Sequence, residues 1–413
     1  MTKKNYVRII FVSTCIIALL LCGYFGLLRN YSEKEEVQDF EEVNLVLDIN
    51  KEEEKIIPKA TLTLVGDFLY EEPYYDALKA GDEIPYYFSK VRKYFEGDDI
   101  SIGNMEVVID DGTMKISGSN YSFCAPRSIG HEVTSLDLEV LSLANNHAND
   151  RGLAGRVSSK KFFKENSSIL TVGTYDTEDR DVSGNIIEIN GLKFGFLSYT
   201  YGTNKAITED LRYTLGLYKD PDIYKINDEY KELMKKDVEA LKGKVDCLVV
   251  LMHWGYEYTF KINSEQEELT RFFNELGVDI IVGNHAHNIQ PIKWVNTDYH
   301  NTLVYYALGN FVGADYTVPG ASNYFIKAYQ IGLMSRLNVT KTDEGLLIDN
   351  ITTEPVINFY DKNIRNFLLV PYRDYTQEYE TNHYMYNKGF NKDFIDEVYN
   401  EVIDKEYQKQ IEL

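Results

Sequence analysis

Two histidines set two residues apart, His285 and His287, close the stretch Ile281-Val282-Gly283-Asn284-His285-Ala286-His287. The chain has only seven histidines, and two more follow apolar runs. His253 ends Val245 to Met252, and His147 follows Leu141-Ser142-Leu143-Ala144-Asn145-Asn146. Acidic residues end two further runs: Asp67 after Leu62-Thr63-Leu64-Val65-Gly66, and Glu106 after Ile100-Ser101-Ile102-Gly103-Asn104-Met105. Neutral imidazole is the commonest side-chain ligand for a divalent metal. Ligands of open α/β sheets bind at strand ends. A mixed oxygen and nitrogen set of this kind suits Mn, Fe or Zn better than Ca, which takes oxygen alone. Taken singly, any of these histidines also reads as a hydrogen-bonded loop residue; the combination points to a metal site at one sheet edge.

Each residue has a chemical and a plain structural reading. Gly66 lets the backbone turn before Asp67, which is a ligand or a turn former. Glu106 is a bridging carboxylate or a surface acid. In Asn145-Asn146-His147, an amide oxygen can ligate a metal while His147 reaches a substrate oxygen. Asp150 would orient His147, or else Asn and Asp cap a helix start. Trp254 is an aromatic wall or core, and Glu257 a second acid. Alternation along an extended segment would put His285 and His287 on one side. Gln290 would orient one of them from behind, and Asn310 in Leu308-Gly309-Asn310-Phe311 would line the pocket.

The elements that must place these residues alternate between strand and helix. Strands are expected over 59–66, 99–103, 139–144, 168–173, 245–252 and 278–282. Helices are expected over 86–95, 153–166, 227–242 and 264–276. Hairpins are expected at 185–190/192–199 and 292–295/302–308, β structure at 324–339 and 346–360, and a helical tail after 390. This alternation argues for a layered α/β fold with two packed sheets.

At 413 residues, with 44% hydrophobic and 26% charged residues, the composition is globular. A formal charge of −22 argues against a nucleic-acid partner, which needs a basic face. Lys3, Lys4 and Arg8 precede an uncharged run from Ile9 to Leu28. That run is long enough to span a bilayer as an uncleaved anchor. Its basic flank places the following chain outside the cytoplasm, at the cell surface. The expected organisation is a cytoplasmic tip and transmembrane anchor (1–30), an acidic stalk (31–58), the site-bearing domain (59–324) and a C-terminal extension (325–413). Cys124 and Cys247 are expected as free, buried thiols outside the site.

From Gly66-Asp67 through Asn104-Met105-Glu106, Phe123-Cys124-Ala125-Pro126, Asn145 to Gly152, His253 to Glu257, Gly283 to Gln290 and Leu308 to Phe311, the chain resembles the poly-γ-glutamate capsule biosynthesis protein family (CapA/PgsA type). The resemblance covers roughly residues 60–315. It implies a calcineurin-like metallophosphoesterase core, a four-layer α/β/β/α sandwich with the site at the sheet edge. It also implies metal positions at Asp67, Glu106, Asn146, His253, His285 and His287, with His147 protonating the leaving group. One or two divalent ions (Mn, Fe or Zn) are implied. The second is expected to bind more weakly, because Phe68 and Leu69 follow Asp67 where the phosphoesterase pattern has Asp-x-His. The implied partners are the membrane, poly-γ-glutamate and other membrane proteins of its synthesis. Three roles stay open: a capsule-assembly protein with a hydrolase site, a non-catalytic component of the synthase complex, and a metallophosphoesterase with another extracellular substrate.

Overall fold

Two mixed sheets face each other in the computed structural model, which describes residues 57–83, 86–119, 121–314 and 322–412. The expected anchor and nearly all of the stalk lie outside these residues. Among the described residues no helix is long and apolar enough to cross a membrane.

The first sheet is built from β1 (Lys59–Phe68), β2 (Ile100–Met105), β6 (Val140–Ser142), β7 (Leu170–Val172), β14 (Asn310–Val312), β15 (Ile331–Thr342), β16 (Gly345–Phe359) and β17 (Leu368–Pro371). Its order is β17-β16-β15-β1-β2-β6-β7, and β14 also pairs with β1. The second contains β8 (Ile186–Ile189), β9 (Leu192–Thr200), β10 (Cys247–His253), β11 (Ile280–Asn284), β12 (Ile292–Asn296) and β13 (Asn301–Tyr305). It runs β12-β13-β11-β10-β9-β8. A small third sheet joins β3 (Val108–Ile109), β4 (Ser117–Ser119) and β5 (Ser122–Ala125).

Strand β10 shows why these runs fold as they do. All seven of its residues are buried. Val249 and Leu251 face the core shared with Leu62, Leu64 and Leu333 of the first sheet. Leu248, Val250 and Met252 face Met234, Val238, Leu269 and Phe273, from the helices Asp228–Leu241 and Ser264–Leu276. A strand covered on both faces needs an uninterrupted apolar run, which its sequence supplies. The helices Arg127–Thr134 and Gly152–Asn166 contribute Ile129, Val133, Phe162 and Phe163 to the larger core. The Ser142 and Ser198 hydroxyls meet at 2.7 Å between the sheets, and Ser335 Oγ donates to Tyr305 Oη at 3.0 Å. The architecture is therefore a mixed α/β sandwich.

The strands β1, β2 and β6 are parallel, as are β9, β10 and β11. Their C-terminal ends gather at one edge. Three expectations differ from the structure. The 86–95 region forms tight turns and only a short helix, Arg92–Phe95. The start of the 324–339 segment is helical, Asn323–Ala328, before β15 begins. Strands of the segment set apart as an extension lie beside β1: Leu337 pairs with Leu62. The described residues belong to one compact unit. Cys124 and Cys247 are free and buried, as expected.

Candidate metal centre

Asp67 stands near the end of β1, where a close backbone approach places it. The carbonyl of Gly309 accepts from Asp67 N at 3.0 Å. A Cβ on Gly66 would fall 1.9 Å from that carbonyl oxygen, so glycine is required there. Asp67 Oδ1 accepts from Asn104 Nδ2 at 2.7 Å, and Oδ2 from His285 N at 3.2 Å. Asn104 also has Asn145 Nδ2 at 3.3 Å, and Asn145 Nδ2 donates to the Met105 carbonyl at 2.8 Å. This amide chain ties the ends of β1, β2 and β6 together.

Glu106, directly after β2, is fully buried. Its Oε1 lies 3.2 Å from His253 Nε2 and 3.9 Å from His287 Nε2, yet among the described residues neither of its oxygens has a hydrogen-bond partner. His253 Nε2 is also 2.7 Å from Asn146 Oδ1. Two sets of ligand atoms converge: Asp67, Glu106 and His253 in one, Glu106, His285 and His287 in the other. Glu106 belongs to both. Among the described residues His285 Nδ1 is likewise buried without a partner.

Burial dominates the electrostatics. It pushes the Asp67 carboxyl up, to about 7, against the hydrogen bonds from Asn104 and His285. It raises Glu106 well above the carboxylate range, helped by the nearby Asp67. It lowers His253 and His285 well below the usual imidazole value, and His287 to about 4. The histidines are thus neutral and keep lone pairs to give. The carboxyls lack a compensating positive charge, and leaving a buried polar atom unpaired costs about 1–3 kcal/mol. A divalent cation answers both demands, and the donor set contains no thiolate.

His285 and His287 reach the cluster differently from the strand alternation expected of them. β11 ends at Asn284, and the two residues take φ of 92° and 55°. Such left-handed backbone is strained for non-glycine residues and concentrates at functional sites. Asn310 Oδ1 holds His287 Nδ1 at 2.9 Å. Of the six expected ligand residues, five supply atoms to the two sets, and Asn146 contacts the cluster through His253. Phe68 and Leu69, which follow Asp67, are buried in the core, and the group that contains Asp67 is made with Glu106 and His253.

His147 lies at the rim. Its Nδ1 meets Asp150 Oδ2 at 2.8 Å, Phe123 packs edge-on at 4.4 Å, and Asn204 Nδ2 is 3.4 Å from each ring nitrogen. Glu257 is raised by burial, and His147 is the group that opposes the shift. Two expected residues belong elsewhere. Trp254 is core: it stacks on Tyr306 and donates to its carbonyl at 2.9 Å. Among the described residues the hydrogen bonds of the Gln290 side chain go to neither histidine; it pairs with Gln266 at 2.9 Å and holds the carbonyls of Thr259 and Lys261. Sequence reasoning missed Tyr201, 4.8 Å from the His285 ring, although it follows β9 and the strand-end rule would have found it. Asn204, in a loop, had no local signal.

Residues 61–315 match a family described as "Bacterial capsule synthesis protein PGA_cap". The chain is 30% identical over 259 residues to the capsule biosynthesis protein CapA of Bacillus anthracis, covering 62% of this chain and 60% of that protein. It is 29% identical over 236 residues to the PGA biosynthesis protein CapA of Bacillus subtilis (strain 168), covering 57% of each. The chain therefore matches less than two thirds of either relative's length. Among solved structures, a hypothetical protein from Thermus thermophilus aligns with a TM-score of 0.40 at 13% identity, over 71% of this chain and 98% of that one. The calcineurin-like phosphoesterase YfkN from Bacillus subtilis aligns with a TM-score of 0.39 at 13% identity, over 72% and 91%.

Proposed function

The chain belongs to the bacterial capsule synthesis protein family, and from that premise we propose that it acts in making, exporting or attaching a poly-γ-glutamate capsule through a divalent-metal hydrolase site. The observation that carries the hydrolase reading is Glu106. It is buried, its two oxygens are unpartnered among the described residues, and it is shared by two triads of ligand atoms. Asp67, Glu106 and His253 would hold one ion, and Glu106, His285 and His287 the other. The ions would be Mn, Fe or Zn. A bound divalent ion supplies Lewis acidity and makes water a nucleophile at neutral pH.

The chain's own residues do the remaining work. Asn104 and the His285 amide aim Asp67, and Asn310 fixes the ring of His287. Asp150 accepts from Nδ1–H of His147, which leaves Nε2 as the atom that exchanges a proton with the leaving group. Burial of the cluster keeps bulk water from its carboxylates.

Elemental analysis of the purified full-length protein should find between about one and two divalent ions per chain. His285→Ala should lose them. His147→Ala should keep them while hydrolysis of an aryl phosphodiester falls by about a hundredfold or more. Metal-free wild-type protein that still supports capsule formation would place the chain among non-catalytic components. Loss of metal from His147→Ala would show that its assigned role is wrong.

The anchor over residues 9–28 is part of the same proposal and puts the domain outside the cytoplasmic membrane. Protease added to wall-stripped cells should digest the domain; full protection would rule this topology out.

A further inference from the structure

The rim beside His147 carries two cations that, among the described residues, have no carboxylate of their own. Arg151 Nη1 donates to Ser122 Oγ at 2.6 Å and to the Asp150 carbonyl at 2.9 Å. Lys205 Nζ donates to the same hydroxyl at 3.1 Å and to the same carbonyl. The other nitrogens of Arg151 donate to the Lys115 carbonyl. Three other buried or half-buried cations are ion-paired: Arg180, Lys219 and Arg373 sit 2.7, 2.8 and 2.7 Å from Asp237, Glu265 and Glu354; Arg156, on the helix that follows Arg151, instead meets the Asn149 amide oxygen. The Asp150 carboxylate, next to Arg151 in the chain, is turned inward onto His147 and Phe123 N.

Two further features carry the same sign or fix the place. The 15-residue helix Gly152–Asn166 begins here, with Arg151 as its N-cap residue, no side-chain cap and no acid in its first turn. Its positive end therefore adds to the two cations. The backbone of Lys205 is pinned to the loop that bears His147. Asn149 Nδ2 holds the carbonyls of Lys205 and Ala206 at 2.8 and 3.0 Å, and Asn204 N donates to the Asn146 carbonyl at 2.8 Å. In a chain of net charge −22, two cations thus meet at one hydroxyl, Ser122 Oγ.

We propose that Arg151 and Lys205 form an anion subsite, which binds a carboxylate or phosphate group that the substrate carries beside the linkage served by His147. Placing the anion beside a linkage served by His147 rests on the function proposed above; the subsite itself does not. The present partners of the two cations are a hydroxyl and carbonyls. A ligand oxyanion makes charge-assisted hydrogen bonds, which are roughly twice as strong, so it would displace the hydroxyl. The subsite also gives a strongly acidic protein a local means of meeting an anionic polymer.

The test is calorimetric titration of the full-length protein with glutarate and, separately, inorganic phosphate, in chelator so that no metal contributes. Wild type should bind one of the two anions at one site. Lys205→Gln should weaken that binding by about tenfold, and Arg151→Gln with Lys205→Gln by more. Arg151→Lys should recover part of it. Lys205 is exposed, so its single variant remains informative even where Arg151→Gln disturbs the fold. Tighter glutarate identifies a carboxylate-bearing substrate; tighter phosphate identifies a phosphorylated one. No binding by wild type, or equal binding by wild type and Lys205→Gln, overturns the subsite. Manganese loading of the same variants is read separately, after the chelator is removed, so failure of the metal centre and failure of the anion subsite are distinguishable.

Discussion

Glu106 and Glu132 show what burial does to a carboxyl with and without a prospective cation. Glu106 shares its two ligand sets with Asp67 and three histidines, and its raised affinity for a proton marks a position that a metal would relieve. Glu132, on the helix Arg127–Thr134, has Tyr74 Oη at 3.1 Å on one oxygen and, among the described residues, nothing on the other. Burial pushes it up to about 8. The unfolded chain releases that proton near pH ~4.3, so between about pH 4.3 and 8 the folded state binds more protons than the unfolded state. Stability from this residue is therefore full below the unfolded value and falls as pH rises through the folded one. Glu132→Gln keeps an acceptor for Tyr74 and removes the titration. Denaturant melts of metal-loaded protein should show the variant gaining on wild type from about pH 5 to about pH 8.5, by on the order of 3 kcal/mol. A constant difference across that range would refute the assignment.

At the scale of elements, what could be read in advance was what periodicity and local chemistry encode. The doubly covered strands β10 and β11 announced themselves as apolar runs. The helix Ser264–Leu276 has its start in Asn263 and Gln266, which cap each other's backbone groups, and its end in Gly277 at φ 83°. Asp67, Glu106 and His253 were legible because each lies at the C-terminal end of a buried strand or directly after it. His285 and His287 join the candidate ligand group by a route that strand alternation does not supply. They leave the strand with left-handed backbone, and alternation says nothing about such a turn. Trp254 and Gln290 sit close in sequence to site histidines, yet their side chains turn to Tyr306 and to the 259–261 loop. Proximity in sequence does not fix direction. Asn204 and Lys205 meet the His147 loop from a distant part of the chain, a pairing decided by tertiary packing alone. The 86–95 segment had helical spacing, but Tyr87 and Phe88 are drawn into an aromatic cluster with Tyr74 and Phe311, and only Arg92–Phe95 stays helical.

At the scale of the whole molecule, the segment after residue 324 determines whether the sheet and the site exist together. β15 pairs with β1 from Lys59 to Leu64, and β16 pairs with β15 in turn. Leu333, Leu337 and Val339 of β15 are fully buried. Burying three such side chains contributes about 5–9 kcal/mol, comparable with the net stability of a typical domain, about 5–15 kcal/mol. The same segment also reaches the candidate ligand group. Asn358 Nδ2 donates to the Asn310 carbonyl at 3.1 Å, and Asn310 Nδ2 to the Tyr329 carbonyl at 3.3 Å. Asn310 in turn orients His287. A chain ending at residue 324 would therefore lose β1's antiparallel neighbour, a large part of the core and the support for one ligand. The expected result is a product without cooperative thermal unfolding or near-ultraviolet dichroism, and without stoichiometric metal by elemental analysis. A truncated protein that melts cooperatively and retains wild-type metal content would show that the site-bearing part folds without β15 and β16, and that these strands are accessory.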